Sequence, residues 1–400
     1  MKKLLFATTA VAGFAMFATP VAAQGLSLDL GGFYRGYGLW QRNDIPNSNL
    51  RNLDFRHDSE VHFTGEVTLD NGLTVGVHSE ISLGNEVAGT TAVASHDTTD
   101  ETYVYFSGNW GRINFGREDG AQYLLQVAAP SADSNVDGLR TYFQGLNANP
   151  GGSRIGAILP GGGPGTAGAK GFDYANDMAR YANKITYFTP KFNGFQGGVT
   201  YAPEVQNGLK AVNNGVGGMA ATNSGGNLKN LWELGARWDG QFEDVGISLG
   251  AGWGRASADV SAPGAGTAGG KTRTQWNIGS NLSFNQFSAG IAYARDNHGV
   301  STGTGATGFD RERTWVFGLG WENGPWNAGV SYMDKEFQFA GATDVDYERW
   351  TFGAGYQFGP GMSFRGAIAF GDFDGDLNGT GGAGDNRDFR QFTLGTEVNF

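Results

Sequence analysis

The chain has 400 residues, among them 68 Gly, 28 Phe, 14 Tyr, 10 Trp and no Cys, and a formal net charge of −11. Glycine therefore stands far above its usual share of about 7%, while only 40% of residues are hydrophobic and mean hydropathy is −0.32. A helical membrane protein needs runs of about 18 or more apolar residues, collagen needs a strict third-residue glycine, disordered chains lack aromatics, and acidic chains repel nucleic acid, so all four classes are excluded.

The first element is an address. Lys2 and Lys3 precede an apolar stretch from Leu4 to Phe17, then Pro20 and the small-residue run Val21-Ala22-Ala23. This is the pattern of a secretory signal peptide over residues 1–23, cleaved before Gln24, and the apolar run is too short for a membrane anchor. Residues 24–400 then form one domain. Export without cysteine means that disulfides do not stabilise it.

From there the chain alternates with period two, the signature of strands. Leu26, Leu28, Leu30 and Tyr34 share one parity, and Ser27, Asp29, Arg35 and Tyr37 the other. Val61, Phe63, Val67 and Leu69 oppose Glu60, His62, Thr64, Glu66 and Thr68. The same alternation recurs around Trp232–Trp238, Trp276–Leu282, Trp350–Phe358 and Phe392–Phe400. A soluble sandwich shows this dyad too, so the connections decide. Seven tight turns (at Asn71, Asn109, Asn193, Glu243, Asn285, Gly324 and Pro360) alternate with eight long polar stretches. Fifteen connections join sixteen strands. Short turns on one rim and long loops on the other predict an all-β, transmembrane antiparallel barrel with short periplasmic turns and long extracellular loops.

The first tight turn predicts a register. If Thr68 and Thr74 both face inward, the loop centres on Asn71 with Gly72 in the left-handed position. His62 then lies opposite Glu80, and Thr64 opposite His78. The expectation is a hydrogen-bonded cluster on the lumen wall rather than a metal site, which needs a third firm ligand.

These features together resemble the general diffusion porins of Gram-negative bacteria, in particular the alphaproteobacterial kind. The residues that carry the resemblance are the signal peptide, Gly31-Gly32-Phe33-Tyr34-Arg35-Gly36-Tyr37-Gly38, the run Gly111-Arg112-Ile113-Asn114-Phe115-Gly116-Arg117 and the terminal Phe400. The resemblance implies sixteen strands, a homotrimer in the outer membrane with lipid and lipopolysaccharide around it, and a third loop folded into the lumen. Residues 117–180 are that loop by position, since no alternation persists there and such a length exceeds an ordinary connection. A wholly external surface loop is the alternative.

In such a pore, charge at the narrowing sorts solutes. The candidate constriction residues are Arg35, Arg56, Arg112, Glu118, Asp119, Asp133 and Asp137, and the candidate lumen-wall residues are His62, His78, Glu80, Arg237, Arg273 and Arg365. Each arginine has two readings, a contributor to a transverse field or a salt bridge bracing the wall. Outside, Trp40, Trp110, Trp238, Trp321, Trp326 and Phe358 are candidates for aromatic girdles, and outward Gly32, Gly36 and Gly65 leave flat surface for a neighbouring subunit. Glycine thus has three expected uses: turns, long loops and flat strand faces. Asp374, Asp376, Asn378, Gly379 and Asp385 match the spacing of a calcium loop with Asp in the last place. The other reading is a solvated acidic loop, bridged to lipopolysaccharide by divalent ions.

The function expected is passive diffusion of small hydrophilic solutes and ions, with mild cation preference, no catalysis, and no cofactor apart from the calcium loop. A solute-selective channel shares the fold. A secreted glycan-binding or surface protein is a further alternative. A barrel enzyme would need a nucleophile with a histidine base, and none of His57, His62, His78, His96 and His298 sits in such a motif.

Overall fold

The alternation predicted above closes on itself. The computed structural model describes residues 25–44, 52–83, 99–130, 176–180, 182–205, 228–258, 272–297, 309–339, 344–375 and 387–400. The expected signal peptide, Asp133, Asp137, Asp376, Asn378 and Asp385 lie outside these residues. Among them, sixteen antiparallel strands form one closed barrel in sequence order, with the last paired to the first. They are β1 Ser27–Asn43, β2 Leu53–Thr68, β3 Thr74–Ser82, β4 Thr102–Gly108, β5 Gly111–Arg117, β6 Asn183–Phe188, β7 Phe195–Glu204 and β8 Leu228–Phe242. They continue as β9 Val245–Ala258, β10 Arg273–Phe284, β11 Phe287–Asp296, β12 Phe309–Asn323, β13 Trp326–Phe339, β14 Val345–Gly359, β15 Met362–Gly375 and β16 Arg387–Asn399. A single helical turn, α1 Ala121–Leu124, interrupts the strands.

All seven tight turns fall where the sequence places them, and closure removes every sheet edge. Thr68 pairs with Thr74, His62 with Glu80 and Thr64 with His78. Gly72 has φ +80°, the left-handed value that the three-residue loop requires. The seam is fastened at the chain end. Phe400 N donates to Gly32 O at 3.1 Å, and Gly32 N donates to Phe400 O at 3.0 Å.

One parity of each strand carries the exposed apolar side chains, among them Leu28 (72% exposed), Phe55 (73%) and Ile278 (56%). An apolar exterior of this extent has no place in water. Lipid accepts it, at about 1.5–3 kcal/mol for each large side chain removed from water. Two aromatic belts bound it. Near the tight turns, Trp110 stacks on Tyr187 at 6.4 Å, Trp326 meets Tyr356 at 4.6 Å, and Trp238 Nε1 donates to Asn193 O. Nearer the long loops, Tyr201–Trp232, Trp276–Tyr293, Tyr293–Trp315 and Tyr332–Trp350 all lie at 4.5–4.8 Å. The sequence reading names the first belt more fully than the second.

Candidate functional site

The opposite parity turns inward and is polar. Arg35, Asp58, Thr64, Glu233, Gln275, Thr351 and Glu397 are all buried on this face. Carboxylates meet most of the predicted guanidiniums. Arg35 lies 3.3 Å from Asp58, Arg56 2.9 Å from Asp54, Arg237 3.0 Å from Asp239, Arg273 2.5 Å from Asp296 and Arg365 3.4 Å from Glu397. Arg112 differs. It donates to Asn114 Oδ1 at 2.7 Å and lies over the Tyr105 ring at 3.9 Å. Tyr37 donates to Glu397 at 2.9 Å, which links the β1–β16 seam to Arg365. Asp374 is the last residue but one of β15, opposite Asp346.

After β5 the chain turns into the barrel. Glu118 accepts from Asn114 Nδ2 at 2.7 Å, and Asp119 N donates to Glu101 Oε1 at 3.0 Å. Ala121 N donates to Thr200 Oγ1, Arg237 reaches Gln126 O, and the amides of Gln122 and Gln275 meet at 2.9 Å. Gln126 exchanges two hydrogen bonds with the backbone of Asn176, which ties both arms of the segment together. Residues 118–130 therefore run along the inner wall, and the wholly external loop does not hold for them.

The wall is built to receive that segment. Where the segment lies closest to β7–β12, many of the inward positions are glycine. Gly198 pairs with Gly235, Gly235 with Gly252, Gly250 with Gly279, and Gly290 with Gly318. A β-carbon on Gly235, Gly279 or Gly318 would collide with the carbonyl oxygen of Ala121, Val127 or Pro130 respectively. This is a fourth use of glycine, absent from the sequence reading. A glycine adds neither polarity nor bulk to a period-two pattern, so inward and outward glycines look alike in the sequence.

Charge gathers where the segment leaves β5. Burial, together with Asp119, Glu80 and Glu118, holds the Glu101 carboxyl well above the usual range. Burial pushes Glu118 up to about 7 against the opposing pull of Lys184. Glu118 and Asp119 thus stand in one sector with Glu80 and Glu101. Sequence reasoning did not single out Glu101, Lys184 or the buried Lys335–Glu312 pair at 2.7 Å. Parity would have placed Lys184, Glu312 and Lys335 inward, but only the path of the in-folded segment shows which inward charges converge.

A closed sixteen-stranded barrel with an apolar exterior, a polar interior and a chain segment laid along its inner wall defines a transmembrane β-barrel of the porin class. Residues 7–376 match the family described as Gram-negative porin, and the chain belongs to that family. It is 25% identical over 246 residues to an uncharacterised protein of Rickettsia conorii, covering 54% of this chain and 51% of that one. An uncharacterised protein of Rickettsia prowazekii matches at 24% over 250 residues, with the same coverage. The chain spans about half the length of these curated relatives. Among solved structures it resembles OmpT, an outer membrane protein of Vibrio cholerae, in its trimer form. That match has 12% identity and TM-score 0.58 over 94% of this chain and 100% of the other. A structure described as a porin matches at 16% identity and TM-score 0.55 with the same coverage. At such identities these likenesses show the fold.

Proposed function

We propose that the protein is a general diffusion channel of the outer membrane, a water-filled pore that small hydrophilic solutes and ions cross passively. The observation that carries this reading is the position of residues 118–130, laid across the inner faces of β7 to β12 and held there by hydrogen bonds to Thr200 of β7 and Gln275 of β10. A segment so placed narrows the pore without closing it by a moving part, so passage needs no carrier and no energy source. The acidic sector of Glu80, Glu101, Glu118 and Asp119, with the chain's excess of acids over bases, favours cations. Arg35, Arg56 and Arg112 supply the opposing charge. Export by cleavage after residue 23, assembly as a homotrimer and contact with lipopolysaccharide complete the proposal. The trimer form of the Vibrio cholerae protein supports the assembly by analogy of fold.

Single-channel recording in planar bilayers tests it. The expected result is stepwise conductance that sugars of rising size reduce up to a sharp limit, with a reversal potential of cationic sign in a salt gradient. A folded barrel that gives no conductance steps overturns the reading, and an anionic sign overturns the charge preference.

A further inference from the structure

Two imidazoles and two carboxylates meet at one point of the inner wall. Glu60 and His62 stand two apart on β2, His78 and Glu80 two apart on β3, and the register sets His62 against Glu80. His62 Nε2 lies 3.0 Å from Glu60 Oε2 and 3.8 Å from Glu80 Oε1, and His78 Nε2 lies 3.1 Å from the same Glu80 oxygen. One ligand atom from each of His62, His78 and Glu80 falls within 4.8 Å of the others. A tetrahedral zinc ion with bonds of about 2.1 Å sets its ligands about 3.4 Å apart, so these atoms need to move by about 1 Å or less.

Three further features suit a metal better than a plain hydrogen-bonded cluster. His78 Nδ1 lies 2.8 Å from Thr64 Oγ1. With Nδ1–H donating to that hydroxyl, the Nε2 lone pair points at Glu80, the tautomer a metal ligand needs. Aromatic rings wall the imidazoles, Phe33 edge-on to His62 at 6.0 Å and Tyr103 beside His78 at 5.3 Å. Glu60 pairs with His62, and Glu80 with both histidines, so a cation entering between them meets two carboxylates already turned toward the imidazole nitrogens. The sequence register already sets Glu80 beside the two histidines; the structure brings its carboxylate within reach of both and adds Glu60 as a fourth group.

We propose that His62, His78 and Glu80, with Glu60 completing the set, bind a borderline divalent transition-metal ion, represented by Zn2+, on the pore wall. Two nitrogens and two oxygens suit zinc, nickel or copper, whereas magnesium and calcium take oxygen alone. Glu80 N donates to Glu101 O, and Glu101 Oε1 accepts from Asp119 N. The site thus adjoins the point where the chain enters the lumen, and a bound dication lowers cation current there.

Isothermal titration of ZnCl2 into the folded full barrel in detergent tests the site without relying on conductance, with MgCl2 as the hard-ion control. The expected result is one Zn2+ per chain at micromolar concentration and no comparable heat from Mg2+. The variants His62→Gln, His78→Gln and Glu80→Gln should each weaken binding at least about tenfold. Silence of the unaltered protein at millimolar Zn2+ overturns the proposal whether or not any variant folds. So does undiminished binding in a folded histidine variant, or equal binding of Mg2+. Zinc titration of a barrel that conducts nothing still reads the site, so its outcome stands apart from that of the channel reading.

Discussion

Gly235 of β8 lies so close beneath Ala121, the first residue of α1, that a β-carbon there would strike the Ala121 carbonyl oxygen. The neighbour in the way is backbone, which cannot swing aside as a side chain does. Overpacking of this kind costs about 1–3 kcal/mol, an amount comparable to the few net hydrogen bonds that hold residues 118–130, each worth about 0.5–1.5 kcal/mol. Gly235→Val should therefore lift the segment off the wall in a large fraction of molecules while the barrel stays closed. In planar bilayers this reads as a larger conductance step and admission of larger sugars. Outward Ala236→Val, on the same strand, is the control and should leave both unchanged.

Arg273 and Asp296 form a different kind of fastening. Their side chains are each 3% exposed and meet at 2.5 Å, joining β10 to β11. Removing Asp296 takes the hydrogen-bonded carboxylate from a buried guanidinium, a loss of up to about 3–5 kcal/mol that the charges of Glu312 and Asp177 offset in part. Asp296→Ala should lower the temperature at which the barrel loses its heat-modifiable gel migration by several degrees. A melting temperature equal to that of the unaltered protein would show that water reaches the guanidinium and replaces the lost partner.

The barrel was largely legible because its signal is local and repeated. Each strand announces itself by parity, as Trp232 and Leu234 against Glu233 do, and each tight turn by residues such as Asn71-Gly72. The pairing of Thr68 with Thr74 then carries His62 to Glu80 without further information. The path of the in-folded segment was less legible for a physical reason. Where residues 118–130 come to rest depends on contacts between positions more than a hundred apart in sequence, such as Gln122 with Gln275. The glycines that admit the segment have no side chain to register in an alternation. Parity assigns Arg35, Arg273 and Arg365 to the inner face, but their partners Asp58, Asp296 and Glu397 follow only from strand register.

Protonation of Glu118 gives the channel a pH dependence whose sign is fixed. Burial pushes this carboxyl up to about 7, and Lys184 and Asn114 pull it back. The charged form is the one that the folded state disfavours. Its cost is fully present above about pH 7, falls as pH drops through that value, and vanishes below the ordinary carboxylate range. As pH falls from about 8 to about 6, Glu118 loses its negative charge, and the cation preference measured by reversal potential should weaken. Glu118→Gln should start from the weaker preference and flatten the change over this interval. A steep, unaltered profile in that variant would assign the titration to another group.

The chain terminus supplies the last case. Phe400 gives and receives one backbone hydrogen bond with Gly32, and its ring stands outward, 63% exposed. Deleting the residue removes two hydrogen bonds, worth about 0.5–1.5 kcal/mol each, and an apolar contact with lipid at the seam where β16 meets β1. Phe400→Ala keeps the backbone bonds and removes only the ring. If the seam depends on pairing, deletion should lower the unfolding temperature markedly and Phe400→Ala only slightly. Equal losses would instead place the contribution in the ring. Refolding of purified protein into detergent separates this effect from any defect of insertion in cells, because no assembly machinery is present there.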